Sequence, residues 1–165
     1  MITLRDYQQN AVNEIRQAYR RGKRSPLLVL PTGGGKTTIF AYITTEAAKK
    51  GNSVFLLCHR AELVKEHQVI APAAIVNQTR TAHFSAHGRS LIQASPVYVA
   101  SVQTLINKID GLHHKPSLIV IDEAHHLTAQ STWGRVIAAF PDARLLPVTA
   151  TPCRLDGKGL GVNHA

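Results

Sequence analysis

At 165 residues the chain is long enough for one domain with a single sizeable core, and 44% hydrophobic against 18% charged residues excludes a disordered polymer. Nineteen Lys and Arg against ten Asp and Glu give a formal charge of +9, which points to a polyanionic partner such as nucleic acid, although ribosome association or plain solubility would leave the same excess. No apolar run approaches the ~20 residues of a membrane span, no signal-peptide core opens the chain, and Cys58 and Cys153 form no C-x-x-C pair, so a soluble cytoplasmic protein without a membrane partner is expected.

Residues 4 to 21 carry Tyr7, Ala11, Ile15 and Ala18 or Tyr19 at helical spacing, with Arg16, Arg20 and Arg21 toward the other face, and Gly22 ends the predicted helix. Taken alone, Gln8 is a solvent-facing residue of that helix. The stretch from Leu28 to Phe40 then passes from apolar residues through Pro31, Thr32, Gly33, Gly34 and Gly35 into Lys36, Thr37 and Thr38, which reads as strand, turn and helix. A glycine-rich turn at a helix N-terminus points several backbone N–H groups inward and can wrap the phosphates of a nucleotide. Lys36 adds a mobile charge for the β- and γ-phosphates, and the Thr37 hydroxyl is placed to ligate Mg²⁺. The strict spacing G-x-x-x-x-G-K-[ST] fails once, with Leu30 in the position of its first glycine.

A helix is expected from Thr38 to Lys50, ended by Gly51, and a buried strand from Ser53 to Cys58. Arg60 follows that strand and reads equally as a phosphate contact or as the partner of Glu62 in a surface pair. Between Ala71 and Pro96 the pattern is weakest, with a short strand at Ala74–Val76 and loops from His83 to Ser90; His83 and His87 lack the intervening Glu of a zinc-protease helix. Val97 to Ala100 is an apolar strand, after which Ser101, Gln103 and Thr104 can cap the next helix. Ser117 to His126 reads SLIVIDEAHH, a buried strand ending in two carboxylates. Asp122 and Glu123 are either a helix N-cap or, beside the glycine loop, part of one crevice, because open α/β sheets collect ligands at the carboxyl ends of their strands. A helix around Trp133 (Thr132 to Phe140) and a last strand (Arg144 to Val148) complete an alternation that predicts a mostly parallel sheet covered on both faces.

Three motifs in this order, PTGGGKT (Pro31–Thr37), DEAH (Asp122–His125) and TATP (Thr149–Pro152), resemble the first RecA-like domain of a superfamily 2 helicase or translocase of the DEAH type. The resemblance spans nearly the whole chain, and within the superfamily it is nearest to the bacterial and phage branch of RadD-like proteins and restriction-enzyme translocase subunits. It implies a three-layer RecA-like P-loop domain over residues 1–153, with 154–165 a linker cut short before a second RecA-like domain. It implies ATP and Mg²⁺ as cofactors, with Arg5 and Gln8 toward the adenine and Thr32, Gly33, Gly34, Gly35, Lys36, Thr37 and Thr38 around the phosphates. Thr37 and Asp122 would hold the metal. Lys36, Glu123 and His125 would be catalytic, Glu123 by orienting or deprotonating the attacking water and His125 by coupling the nucleotide to Thr149, Ala150 and Thr151. His59, Arg60, Ser101, Gln103 and Thr104 would touch the backbone of a nucleic acid, DNA being favoured over RNA, and a monomer is expected. The rival reading is a stand-alone ATP- or nucleic-acid-binding module without productive turnover.

Overall fold

The strands of the protein all run parallel to their neighbours, in a six-stranded sheet of order β1-β6-β5-β2-β4-β3 among the described residues. These are β1 (Leu28–Val29), β2 (Val54–Cys58), β3 (Ala74–Val76), β4 (Val97–Ser101), β5 (Leu118–Ile121) and β6 (Arg144–Thr149). Among the described residues the helices are α1 (Asp6–Arg20), α2 (Lys36–Lys49), α3 (Val102–Ile106) and α4 (Thr132–Ala139), with single 3₁₀ turns at Ile109–Gly111 and Ala124–His126. This computed structural model describes residues 3–58, 74–76, 97–107, 109–111, 115–126 and 132–151. No helix among them is long and apolar enough to cross a membrane.

Strands β2, β4 and β5 are buried along their whole length, as continuous apolar runs in a parallel sheet must be. Because successive side chains point to opposite faces, each strand feeds two cores. Phe55, Leu57, Tyr98, Ile119 and Ile121 pack with Val102 and Leu105 of α3 and Trp133 and Val136 of α4. Val54, Leu56, Val99, Val120 and Leu146 pack on the other side with Val12 and Ile15 of α1 and Ile39 and Phe40 of α2. The result is the three-layer α/β architecture that the alternation predicts.

One proline explains why β1 is only two residues long. Leu145 donates its N–H to Arg24 O, on the β1 side of β6, and alternate residues of a strand face the same way. Pro147 therefore lacks its N–H on that side, and the ladder to β1 forms only beyond it, at Leu28↔Val148 and Val29↔Thr149.

The apolar face read for α1 is corrected by the packing. Tyr7 is 43% exposed, whereas Gln8 is 4% and Val12 0% exposed, so the buried stripe runs through Gln8, Val12 and Ile15. Consecutive helix positions lie 100° apart, and the small apolar pair Ala11–Val12 suits either rotation of the helix. Docking against α2 and the glycine turn selects the second. Helix α2 also begins two residues earlier than expected, since Gly35 serves as its N-cap and puts Lys36 and Thr37 in the first turn.

Candidate active site

The carboxyl end of β1 opens into the glycine turn. Gly34 donates its N–H to Pro31 O at 2.8 Å, closing a tight turn whose third residue, Gly33, has φ 81°. Gly35 follows at φ 78°, left-handed backbone again, and its carbonyl accepts the Ile39 N–H to start α2. Both positions favour glycine because a Cβ there meets the following carbonyl. Gly34 is required for space, since a Cβ on it would stand 2.9 Å from Pro31 O. The turn is also braced from α1. The Tyr7 hydroxyl donates to Gly34 O at 3.0 Å, and a Cβ on Gly35 would run into Gln8 Nε2. Gln8 Oε1 meanwhile accepts the Arg5 N–H at 2.9 Å and so satisfies the N–H of the residue that caps its own helix. The solvent-facing reading of Gln8 is thus overturned.

Strand β5 delivers the carboxylates to the same place. The Asp122 N–H continues the ladder to Leu57 O at 2.9 Å, and its own Oδ1 accepts the Glu123 N–H at 2.9 Å. Glu123 then turns to φ 56°, the one non-glycine residue with positive φ among those described. A left-handed conformation at such a residue is strained and is held by its surroundings. Here it brings Glu123 Oε1 to 3.8 Å from Lys36 Nζ and Glu123 Oε2 to 3.2 Å from His125 Nδ1. His125 Nδ1 also lies 3.1 Å from Thr149 Oγ1, at the end of β6, and Thr149 Oγ1 accepts the Thr151 N–H at 3.2 Å. Lys36, Glu123, His125 and Thr149 therefore form one chain of contacts across the carboxyl ends of β1, β5 and β6.

Burial separates the two carboxylates. Asp122 is 8% exposed, whereas the Glu123 side chain keeps about a third of its surface. Cys58, at the end of β2, reports the charge of its neighbour: burial first, and the Asp122 carboxylate second, push its thiol up to about 12.

Of the other expected residues, Arg5, Thr32 and Thr37 are exposed around the turn, Thr38 and Ala150 are half-buried, and Thr151 is exposed. Ser101 is buried at the end of β4 and Gln103 is exposed on α3. His59, Arg60, Pro152 and the side chain of Thr104 lie outside the described residues. Tyr7, which holds the turn through Gly34, was missed as a site residue; its one sequence signal is its place beside Gln8.

The family model for the Type III restriction enzyme res subunit matches residues 1–154. The chain is 36% identical over 137 residues to IRC3 of Saccharomyces cerevisiae, a named candidate ATP-dependent helicase, with 78% of this chain and 20% of that protein covered. It is 34% identical over 129 residues to a 51.5 kDa protein of Lactococcus phage (isolate 7-9), covering 78% of this chain and 25% of the relative. The chain thus spans a quarter or less of these two curated relatives. Among solved structures, the Pyrococcus furiosus Hef helicase domain superposes with a TM-score of 0.73 at 23% identity, over 90% of this chain and 33% of that one, a likeness of fold.

Proposed function

The chain belongs to the family of the Type III restriction enzyme res subunit, within the superfamily 2 helicases, and on that premise we propose that it is the ATP-binding first half of a motor that hydrolyses ATP to move on DNA. The observation that carries the reading is the approach of Lys36 Nζ to Glu123 Oε1, 3.8 Å, beside a turn with no room for a Cβ at Gly34. A cradle of bare backbone with one lysine suits a polyphosphate. In this reading the phosphates of ATP lie against Thr32, Gly33, Gly34, Gly35, Lys36, Thr37 and Thr38, and Arg5 and Gln8 lie toward the base.

Mg²⁺, when bound, offsets the charge that develops on the transferring phosphoryl group. The donors present fit it, because Mg²⁺ keeps several waters and takes one or two protein oxygens, here the Thr37 hydroxyl and the Asp122 carboxylate. Glu123 accepts the proton of the attacking water. Its position is fixed from both sides, by Lys36 and by His125, and His125 ties that position to Thr149 and the N–H of Thr151. A change at the end of β6 is in this way felt at the general base, which is the coupling role assigned to Thr149, Ala150 and Thr151. We assign residues 1–153 to this DEAH-type domain and 154–165 to a linker toward a second RecA-like domain. His59, Arg60, Ser101, Gln103 and Thr104 are assigned to the DNA backbone.

An arginine finger supplied from a second domain is worth ~10³–10⁵ in rate, so the 165-residue chain should bind ATP and turn it over slowly. The test is Lys36→Ala. A calorimetric titration should lose most ATP affinity while the unfolding transition stays in place, because Lys36 contributes charge rather than packing. Unchanged affinity would remove Lys36 from the site and the reading with it.

A further inference from the structure

The nucleotide site occupies the carboxyl ends of the strands, and the opposite edge of the sheet has a character of its own. Helices α1 and α2 both start at the glycine turn and both run to that edge, a distance of ~20 Å for their 15 and 14 residues. Tyr19 fastens the end of α1 by donating its hydroxyl to Leu145 O at 2.8 Å, and Arg24 donates to Phe140 O and Ala143 O, each at 3.0 Å. The end of α2 leads into Ser53, whose carbonyl accepts the N–H groups of Ser117 and Leu118.

This path gathers cations at one edge. The last turns of α1 and the residues after it bring Arg16, Arg20, Arg21 and Lys23; the end of α2 brings Lys49 and Lys50; the start of β6 brings Arg144. Against them stand Glu46 and Asp142, and the Glu46 carboxyl is already held low, first by its hydrogen bond from Lys49 and then by the charges of Lys49, Arg16 and Lys50. Helix dipoles account for Arg20 and Lys49 in the last turns. They do not account for Arg16 and Arg144, whose guanidinium groups lie over the rings of Tyr42 at 5.9 Å and Tyr19 at 5.2 Å. A guanidinium backed by a ring is a preorganised planar fork, which suits phosphate oxygens. Between the two opens a cleft of about 350 Å³ with Arg16, Lys50 and Arg144 on its walls.

We propose that this amino-terminal edge of the sheet is a second nucleic-acid contact, holding the phosphate backbone of DNA about one helix length from the phosphate loop. The choice of DNA rests on the function proposed above; the location rests on the charges. The exposed large hydrophobics among the described residues, Tyr7 and Val29, both lie at the nucleotide end. The basic edge thus lacks the apolar anchors that a membrane surface or a protein hot spot uses.

Two triple variants test it in the full chain: Arg20→Gln/Arg21→Gln/Lys23→Gln, whose side chains are exposed, and Arg16→Gln/Lys50→Gln/Arg144→Gln at the cleft. Affinity for a short mixed-sequence DNA duplex is measured across a salt series, with ATP affinity alongside. Each phosphate contact contributes about 0.9 to the slope of log K against log salt, so each variant should flatten that slope by about 2 to 3. ATP affinity should not change. Amide resonances of residues 16–24, 49–53 and 142–145 should shift on adding the duplex. Unchanged slopes in both variants, or shifts confined to the carboxyl ends of the strands, overturn the second contact and leave the nucleotide reading intact. Preference of this edge for poly-glutamate or anionic vesicles over the duplex also overturns it. A parent chain that binds the duplex here but no ATP upholds this contact and removes the nucleotide reading.

Discussion

Gly35→Ala, made with and without Gln8→Ala, measures how the glycine turn is supported. In the parent background the new Cβ meets two penalties. The backbone at φ 78° and ψ 31° is left-handed, which costs a non-glycine residue about 1–2 kcal/mol. The Cβ also meets Gln8 Nε2, the end of a flexible side chain that must swing aside and give up its bond from the Arg5 N–H, about 1 kcal/mol. Together they predict a loss of about 2–3 kcal/mol, a sizeable share of the ~5–15 kcal/mol that a domain of this size possesses. Gln8→Ala alone should cost about 1 kcal/mol, mainly through the Arg5 N–H that loses its acceptor. With Gln8 shortened, the collision disappears and Gly35→Ala should cost only its backbone strain. The double variant should therefore be more stable than the sum of the singles by about 1 kcal/mol, the one hydrogen bond that both singles lose. Urea unfolding of the nucleotide-free protein, analysed with a common m-value, supplies the four numbers. Additivity within a few tenths of a kcal/mol would refute the placement of Gln8 beneath the turn.

Glu123→Gln should retain ATP binding and lose turnover, because the amide keeps the shape of the side chain but accepts no proton; equal turnover by the variant in a steady-state assay would place the base elsewhere. Thr149→Val removes the oxygen that meets His125 Nδ1 and the Thr151 N–H at a fully buried position, so urea unfolding should report a loss of about 1–3 kcal/mol. Cys58 should resist iodoacetamide in the native protein at about pH 9 and react once the chain is unfolded, its labelling followed on its own peptide by mass spectrometry. The sign of the linked stability follows from the raised thiol: its contribution is complete below the unfolded value of about 8.5 and is lost as pH rises toward about 12. Rapid native labelling at pH 9 would show that the thiol is neither buried nor beside Asp122.

Local chemistry was legible wherever a residue answers mainly to its own neighbours in the chain. The runs at Val54–Cys58, Val97–Ala100 and Leu118–Ile121 are apolar throughout, and the last is mostly β-branched, so burial on both faces of a parallel sheet follows from the sequence alone. Even the short Ala74–Val76 strand was readable. Gly33, Gly34 and Gly35 between a strand and a helix announce a bare-backbone turn, because glycine takes left-handed backbone without strain and leaves room for the close approach to Pro31 O. Tertiary packing decided what local pattern leaves degenerate. Ala11 and Val12 permit two rotations of α1, and the choice that buries Gln8 under Gly35 and sends Tyr7 to Gly34 is made by the sheet and α2. The strand order is likewise a property of the assembled sheet, and it alone brings Lys36 to Glu123 and His125 to Thr149. The positive φ of Glu123 has no signature in the letters DEAH, since its strain is tolerable only when neighbours from other strands hold the residue. The same reason hides the basic edge: its arginines and lysines are scattered from position 16 to 144, and only helices that start together at one end of a parallel sheet carry them to the same place at the other.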